Sequence, residues 1–259
     1  IAADYKSAES YNYMWTKTGN GGLFGPSDTD KKNIQINLSF KYLISRKIDN
    51  DAIKKFKLGF AELDEKIFYD FCNKNDISKQ NLKSLGLLSE KQNLLFRERI
   101  LFPITNFRNE TVAYGGRALN DFGPKYLNSA ESQIYKKNKT LYFTDDFLKG
   151  VKEKDEIIIV EGYIDVIAFN LLGYSNVVSP SGTALTSQQL EQLSKYSSNI
   201  TISFDNDDAG IKAMEKYKTT YPAVEILLLP MSKDLSDSIK DNGAKAVRDR
   251  LVPLINKKL

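Results

Sequence analysis

Between residues 155 and 256 short apolar runs alternate with amphipathic ones, at a spacing that few architectures accommodate. Residues 155–161 read as a buried strand centred on Ile157-Ile158-Ile159-Val160, and 163–172 as the helix that follows. The pair recurs as strand 176–179 with helix 186–195, and as strand 199–204 with helix 208–217. Strand 223–229 then leads into helical segments at 235–240 and 243–256. Neighbouring parallel strands need a long crossover, so strands joined by helices imply a mostly parallel sheet with helices on both faces. The expected fold class is α/β, closed by C-terminal helices. Ligands of such sheets collect beyond the carboxyl ends of the strands.

Acids stand at those ends. Glu161 closes the first strand and Asp165 lies one helical turn further on. "FDNDDAGIKA" places Asp205-Asn206-Asp207-Asp208 behind the third strand, and "KDLSD" places Asp234 and Asp237 behind the fourth. Acidic side chains are rarely buried without a partner. Asp205 and Asp207, at i and i+2, would project to one side of an extended chain and converge on one ion. A cluster of carboxylates repels itself unless divalent cations neutralise it. Plainer readings compete: Asp207 or Asp208 as a helix cap, and Glu161 as a buried acid satisfied by lysine.

Histidine is absent from all 259 residues. That removes His-based acid–base catalysis, Ser-His-Asp triads and His-containing zinc sites. Any metal must be held mainly by oxygen, which favours Mg²⁺ or Mn²⁺. The single cysteine, Cys72, excludes an intrachain disulfide. No apolar run approaches the roughly 18 residues that span a bilayer, and no signal peptide is recognisable. The chain starts at Ile1, which reads as a fragment of something longer.

Residues 1–150 read as a smaller α+β subdomain, residues 151–232 as the parallel unit and 233–259 as a C-terminal helical segment. "KTGNGGLFGPSDTDKK" is expected to be a loop, residues 33–57 two helices, and 62–85 a further helical stretch. "FRERILFPI" and "ETVAYGGRAL" read as a strand pair turning at Arg108-Asn109. From Phe96 to Thr140 eight basic residues face four acids, a local excess equal to the whole chain's +4. It marks either an anion-binding surface or a solvated lysine-rich face. Tyr114, Tyr126, Tyr135 and Tyr142 interleave with these charges, as base-stacking rings or as packing. Gly115-Gly116 permit a close backbone approach, to a ligand or to a neighbouring strand.

"VEGYIDVIAF", then "FDNDDAGIKA" and "KDLSD", resemble the TOPRIM domain of bacterial replicative primases. Upstream, "YLISRKIDNDAIKKFKLGFA", "RERILFPI", "AYGGRAL", "PKYLNSAES" and "KKNKTLYF" resemble that family's consecutive motifs, so the likeness runs over roughly residues 35–255. The resemblance implies a DNA-dependent RNA polymerase core that makes short RNA primers by two-metal nucleotidyl transfer. It implies Glu161, Asp205 and Asp207 as catalytic residues, and Glu161, Asp165, Asp205, Asp207 and Asp234 as ligands of two or more Mg²⁺ or Mn²⁺ ions. It implies Arg46, Arg97, Arg99, Arg117, Lys125, Asn128 and Lys137 as contacts to nucleotide and DNA.

Implied partners are a single-stranded DNA template, ribonucleoside triphosphates, and a replicative helicase reached through a C-terminal domain not present here. Membrane is not among them, and the expected location is the bacterial cytoplasm, at replication forks. Two departures stand out. The family's zinc module cannot be built from one cysteine and no histidine, so no zinc is expected in this chain. Where primases usually carry Asp-Pro-Asp, this chain has Asp234-Leu235-Ser236, with Asp237 next. Another TOPRIM enzyme, a nuclease or topoisomerase, and a non-catalytic single-strand-binding module are the alternatives.

Overall fold

The computed structural model describes residues 31–61, 65–120, 123–182, 184–229 and 235–256. The expected loop "KTGNGGLFGPSDTDKK" lies almost wholly outside them. The chain divides into two compact units, residues 1–136 and 137–259.

In the first unit, helices α1 (Lys31–Ser45) and α2 (Asn50–Lys55) precede strand β1 (Gly59–Ala61). Asp49 starts α2 by accepting the Ala52 amide at 2.9 Å. Helices α3 (Lys66–Lys74) and α4 (Lys79–Ser84) follow, the second opened by a reciprocal Ser78–Asn81 capping box. Strands β2 (Arg99–Thr105), β3 (Thr111–Ala118) and β4 (Tyr126–Asn128) complete a sheet of order β1-β2-β3-β4, antiparallel throughout. The β2–β3 turn falls where the sequence places it. Asn106 Oδ1 accepts the amides of Arg108 (2.9 Å) and Glu110 (3.1 Å), and Asn109 takes a left-handed φ of 60°. Every position of β2 and β3 is buried, so this sheet is covered on both faces. One core gathers Leu82, Leu85, Leu94, Phe96, Leu101 and Tyr114.

The second unit opens with α5 (Phe147–Lys154) and then alternates β5 (Ile157–Ile159), α6 (Tyr163–Leu171), β6 (Val177–Val178), α7 (Ser187–Leu193), β7 (Ile200–Ile202), α8 (Asp208–Thr220) and β8 (Glu225–Ile226). Helices α9 (Leu235–Asn242) and α10 (Ala244–Asn256) close the chain. The four strands pair in parallel, in the order β6-β5-β7-β8. The chain moves from β5 outward to β6, then back past β5 to β7 and on to β8. Right-handed crossovers therefore put α6 on one face and α7 and α8 on the other. Helix α9 packs on α6, which covers that face a second time. The parallel α/β sheet with helices on both faces is as the sequence leads one to expect. Its strands are shorter than the apolar runs, because the pairing stops where the chain turns toward the site.

Candidate active site

The connections from β5 and β7 leave in opposite directions, one toward β6 and one toward β8. Adjacent strands with diverging connections open a crevice beyond their carboxyl ends. Glu161 lies just past β5 and Asp205 just past β7, so both stand at this crevice. They meet there. The Asp205 amide donates to Glu161 Oε1 at 3.1 Å. Glu161 thus accepts from main chain at the neighbouring strand end. Burial pushes its carboxyl above the ordinary range; the Asp205 amide pulls the other way, and the negative charge of Asp207 adds to the rise.

Asp205 and Asp207 lie beyond the paired part of their strand. Pairing in β7 stops at Ile202 and the chain bends at Asn206-Asp207, so strand alternation no longer governs the two side chains. Asp207 instead caps α8, its Oδ1 accepting the Gly210 amide at 2.8 Å. Asp165, in the first turn of α6, reaches back the other way, its Oδ2 accepting the amide of Gly162 at the helix start at 3.1 Å. Gly210 is required by space: a Cβ there would lie 2.1 Å from the Asp205 carbonyl oxygen and 3.1 Å from Glu161 Oε1.

Asp234 lies outside the described residues. Behind it, Ser236 is 2 % exposed on the packed side of α9, while Asp237, in the same first turn, is half-buried. Among the described residues no three acids or cysteines come together as a ready metal site. The donor set nonetheless suits a hard divalent cation. It is all oxygen, and a half-buried glutamate feels a neighbouring aspartate whose charge opposes its ionisation. A cation would reverse that opposition.

The basic residues of the first unit sort into two kinds. Arg99 is 6 % exposed, and its Nη1 donates to the carbonyls of Gly116 (3.2 Å) and Pro124 (2.9 Å). Burial lowers its pKa below the usual guanidinium value. It supports the segment that carries Lys125. Arg117 is 9 % exposed; its guanidinium carbon lies 4.0 Å from the centroid of the Tyr42 ring, and Nε donates to the Tyr126 hydroxyl at 3.2 Å. Arg46 stacks on the same Tyr42 ring at 5.5 Å. Arg97 is exposed and pairs with Glu65 at 3.4 Å. Lys125 is exposed and Asn128 half-buried at the end of β4. Lys137 is exposed in the second unit, where its carbonyl accepts from Gln189 Nε2 at 3.2 Å.

Of the four interleaved tyrosines, Tyr114, Tyr135 and Tyr142 are core residues and only Tyr126 reaches solvent. Gly116 serves packing: a Cβ would lie 2.6 Å from the Phe96 ring. Tyr42 was missed by sequence reasoning. Its i, i+4 spacing to Arg46 was a legible signal; its contact with Arg117 was not.

A family model of the DNA primase catalytic core, N-terminal domain, matches residues 29–147, and a Toprim-like model matches 158–239. The chain belongs to the DNA primase catalytic-core family. It is 34% identical over 213 residues to a DNA primase of Clostridium acetobutylicum, a match covering 80% of this chain and 36% of that protein. The chain thus spans little more than a third of the length of that relative. The crystal structure of the Aquifex aeolicus primase, zinc-binding and RNA polymerase domains, is similar with a TM-score of 0.78 and 30% identity, over 96% of this chain and 60% of that one. A DnaG primase catalytic domain bound to single-stranded DNA matches with the same TM-score at 26% identity, over 96% and 78%. The parallel unit is accordingly a Toprim fold, and primase cores of this fold use divalent metal ions. None of the described helices is long and apolar enough to cross a membrane.

Proposed function

We propose that this chain is a primase core that joins ribonucleotides into short RNA primers on single-stranded DNA. The observation that carries the reading is Glu161 bonded to the main chain of Asp205 at the switch point, in a chain of the primase family. The DNA-bound structure of a relative supports the choice of template. Nucleotidyl transfer carries a 3′-hydroxyl onto an α-phosphate and expels pyrophosphate, so it calls for charge neutralisation more than for a side-chain nucleophile. Two or more Mg²⁺ or Mn²⁺ ions would supply that neutralisation. Glu161, Asp165, Asp205, Asp207 and, outside the described residues, Asp234 are the groups that would hold them.

This chain's residues have separate tasks. Glu161 Oε1 is occupied by the Asp205 amide, which leaves Oε2 to face the site as ligand or proton acceptor. Arg46, Arg97, Arg117, Lys125 and Lys137 bind phosphates of template and triphosphate, with Asn128 as a polar contact. Arg99 holds the Lys125 segment in place. A replicative helicase is the partner expected of the whole protein.

The test is ribonucleotide incorporation on single-stranded DNA, comparing Mg²⁺ with Mn²⁺ and wild type with Asp205→Asn. Metal-dependent primers from wild type alone support the reading. The buried Ser236, standing where primases usually carry an aspartate, favours a second one: a non-catalytic single-strand-binding module. Tight DNA binding without incorporation in either metal would establish it.

A further inference from the structure

The stretch "SPSGTAL" has no role in the chemistry above, yet it is tied to the main chain of Glu161. Ser179 follows β6 and is 0 % exposed. Its hydroxyl donates to the Glu161 carbonyl at 2.6 Å and accepts the Ser181 amide at 2.9 Å. Its backbone is fixed independently by a two-bond bridge with Tyr142, at 2.8 and 2.9 Å. The Gly182 amide reaches the same Glu161 carbonyl at 3.2 Å, so that one oxygen accepts twice from one loop. The loop holds this shape through two successive left-handed residues, Ser181 at φ 63° and Gly182 at φ 72°. Serine in that region is uncommon and costs free energy, and it persists where surrounding bonds determine it.

We infer that Ser179 is a positioning residue for Glu161, anchoring its main chain so that its carboxylate meets the Asp205 amide. Main-chain pairing of β5 with β6 ends at the Val160 amide, which donates to the Val178 carbonyl at 2.9 Å, and beyond it a parallel strand end is free to splay just where Glu161 stands. The Ser179 hydroxyl replaces the missing ladder bond, and the Ser181-Gly182 turn adds a second. The inference rests on Glu161 working in the proposed site, but its test does not require primer synthesis.

The experiment is amide hydrogen exchange, read at Gly182 and Asp205, in wild type, Ser179→Ala and Ser179→Cys. Ser197→Ala is the control: its hydroxyl makes a comparable bond, to the Asp155 carbonyl at 3.0 Å, ahead of β7 at the opposite end of the sheet. In Ser179→Ala both amides are expected to exchange roughly fivefold faster, the factor one hydrogen bond of ordinary net strength controls. The cysteine variant, a weaker donor, falls between. Ser197→Ala leaves both at the wild-type rate. If primers are made, Ser179→Ala lowers kcat with little change in KM for ribonucleotide. Wild-type exchange at Asp205 in Ser179→Ala overturns the inference, even if Gly182 exchanges faster, because the loop would then be anchored without positioning Glu161. Equal acceleration in Ser197→Ala overturns it as well. A wild-type protein that makes no primer would sink the functional reading and leave the exchange comparison decisive.

Discussion

Gly210→Ala tests whether the spacing between the two strand ends sets activity, without removing a single carboxylate. The added Cβ would lie 2.1 Å from the Asp205 carbonyl oxygen and 3.1 Å from Glu161 Oε1. Carbon–oxygen contacts settle near 3.3 Å, so the Asp205 carbonyl or the start of α8 must give by about 1 Å. The obstacle is backbone, which cannot rotate away as a side-chain tip does. Overpacking of this kind costs about 1–3 kcal/mol, and the better helix propensity of alanine returns about 1 kcal/mol. The net destabilisation expected from a denaturant melt is therefore about 0–2 kcal/mol. The rate should suffer far more, because a misplacement of about 1 Å in a reacting constellation costs on the order of 100-fold. Gly150→Ala provides the comparison. Its Cβ would lie 2.2 Å from the rotatable Ser175 Oγ and 2.7 Å from the Asn176 amide, a milder crowding against main chain in α5 that involves none of the site's acids. Primer synthesis per folded molecule should fall in Gly210→Ala and hold in Gly150→Ala. Wild-type rates in a folded Gly210→Ala protein would refute the argument that the Glu161–Asp205 spacing matters.

Three further outcomes are expected. Glu161 has a raised folded-state pKa, so in the metal-free protein its contribution to stability is full below its ordinary value and lost as pH rises through the folded one. Glu161→Gln should flatten that part of the stability–pH curve measured in chelator, and an unchanged curve would count against it. Tyr42→Leu should weaken single-stranded DNA binding severalfold while Tyr42→Phe keeps it, since two arginines share this ring and each cation–π contact is worth about 0.5–1 kcal/mol. Equal affinities in titrations of both variants would dismiss the stack. Asp237→Ala should stay within about 0.5 kcal/mol of wild-type stability and retain activity, whereas Ser236→Asp, which places a carboxylate at a 2 % exposed position, should melt earlier in chelator. A catalytic collapse of Asp237→Ala would reverse the assignment of that turn.

What the sequence made legible follows from the range of the interactions. Helices α6 to α8 and the strands between them announce themselves through local periodicity and capping residues, so their order and the parallel sheet could be read directly. The acids at strand ends were legible for the same reason. The i, i+2 argument for Asp205 and Asp207 extended the strand past Ile202, where pairing ends and the chain bends into a helix that Asp207 caps. The plainer reading of Asp207 is the one realised there. The resemblance implies Arg99 as a nucleotide contact, and in a strand buried on both faces its guanidinium also reaches two carbonyls. A motif match does not say how deeply such an arginine is buried. The Arg117–Tyr42 stack joins residues far apart in the chain, which no local pattern encodes.

The strand order also fixes a sequence of events during synthesis. Strand β5 is central, yet its partner β7 arrives some 40 residues later, with Ile157 opposite Ile200. At about 5–20 residues per second, β5 waits roughly 2 to 8 seconds on the ribosome with one edge open. Its run Ile157-Ile158-Ile159-Val160 is among the most deeply buried in the finished protein, and an open apolar edge is a template for pairing with other chains. Slow decoding between residues 160 and 200 would prolong that exposure, so synonymous codon changes there should alter soluble yield without altering any residue of the protein.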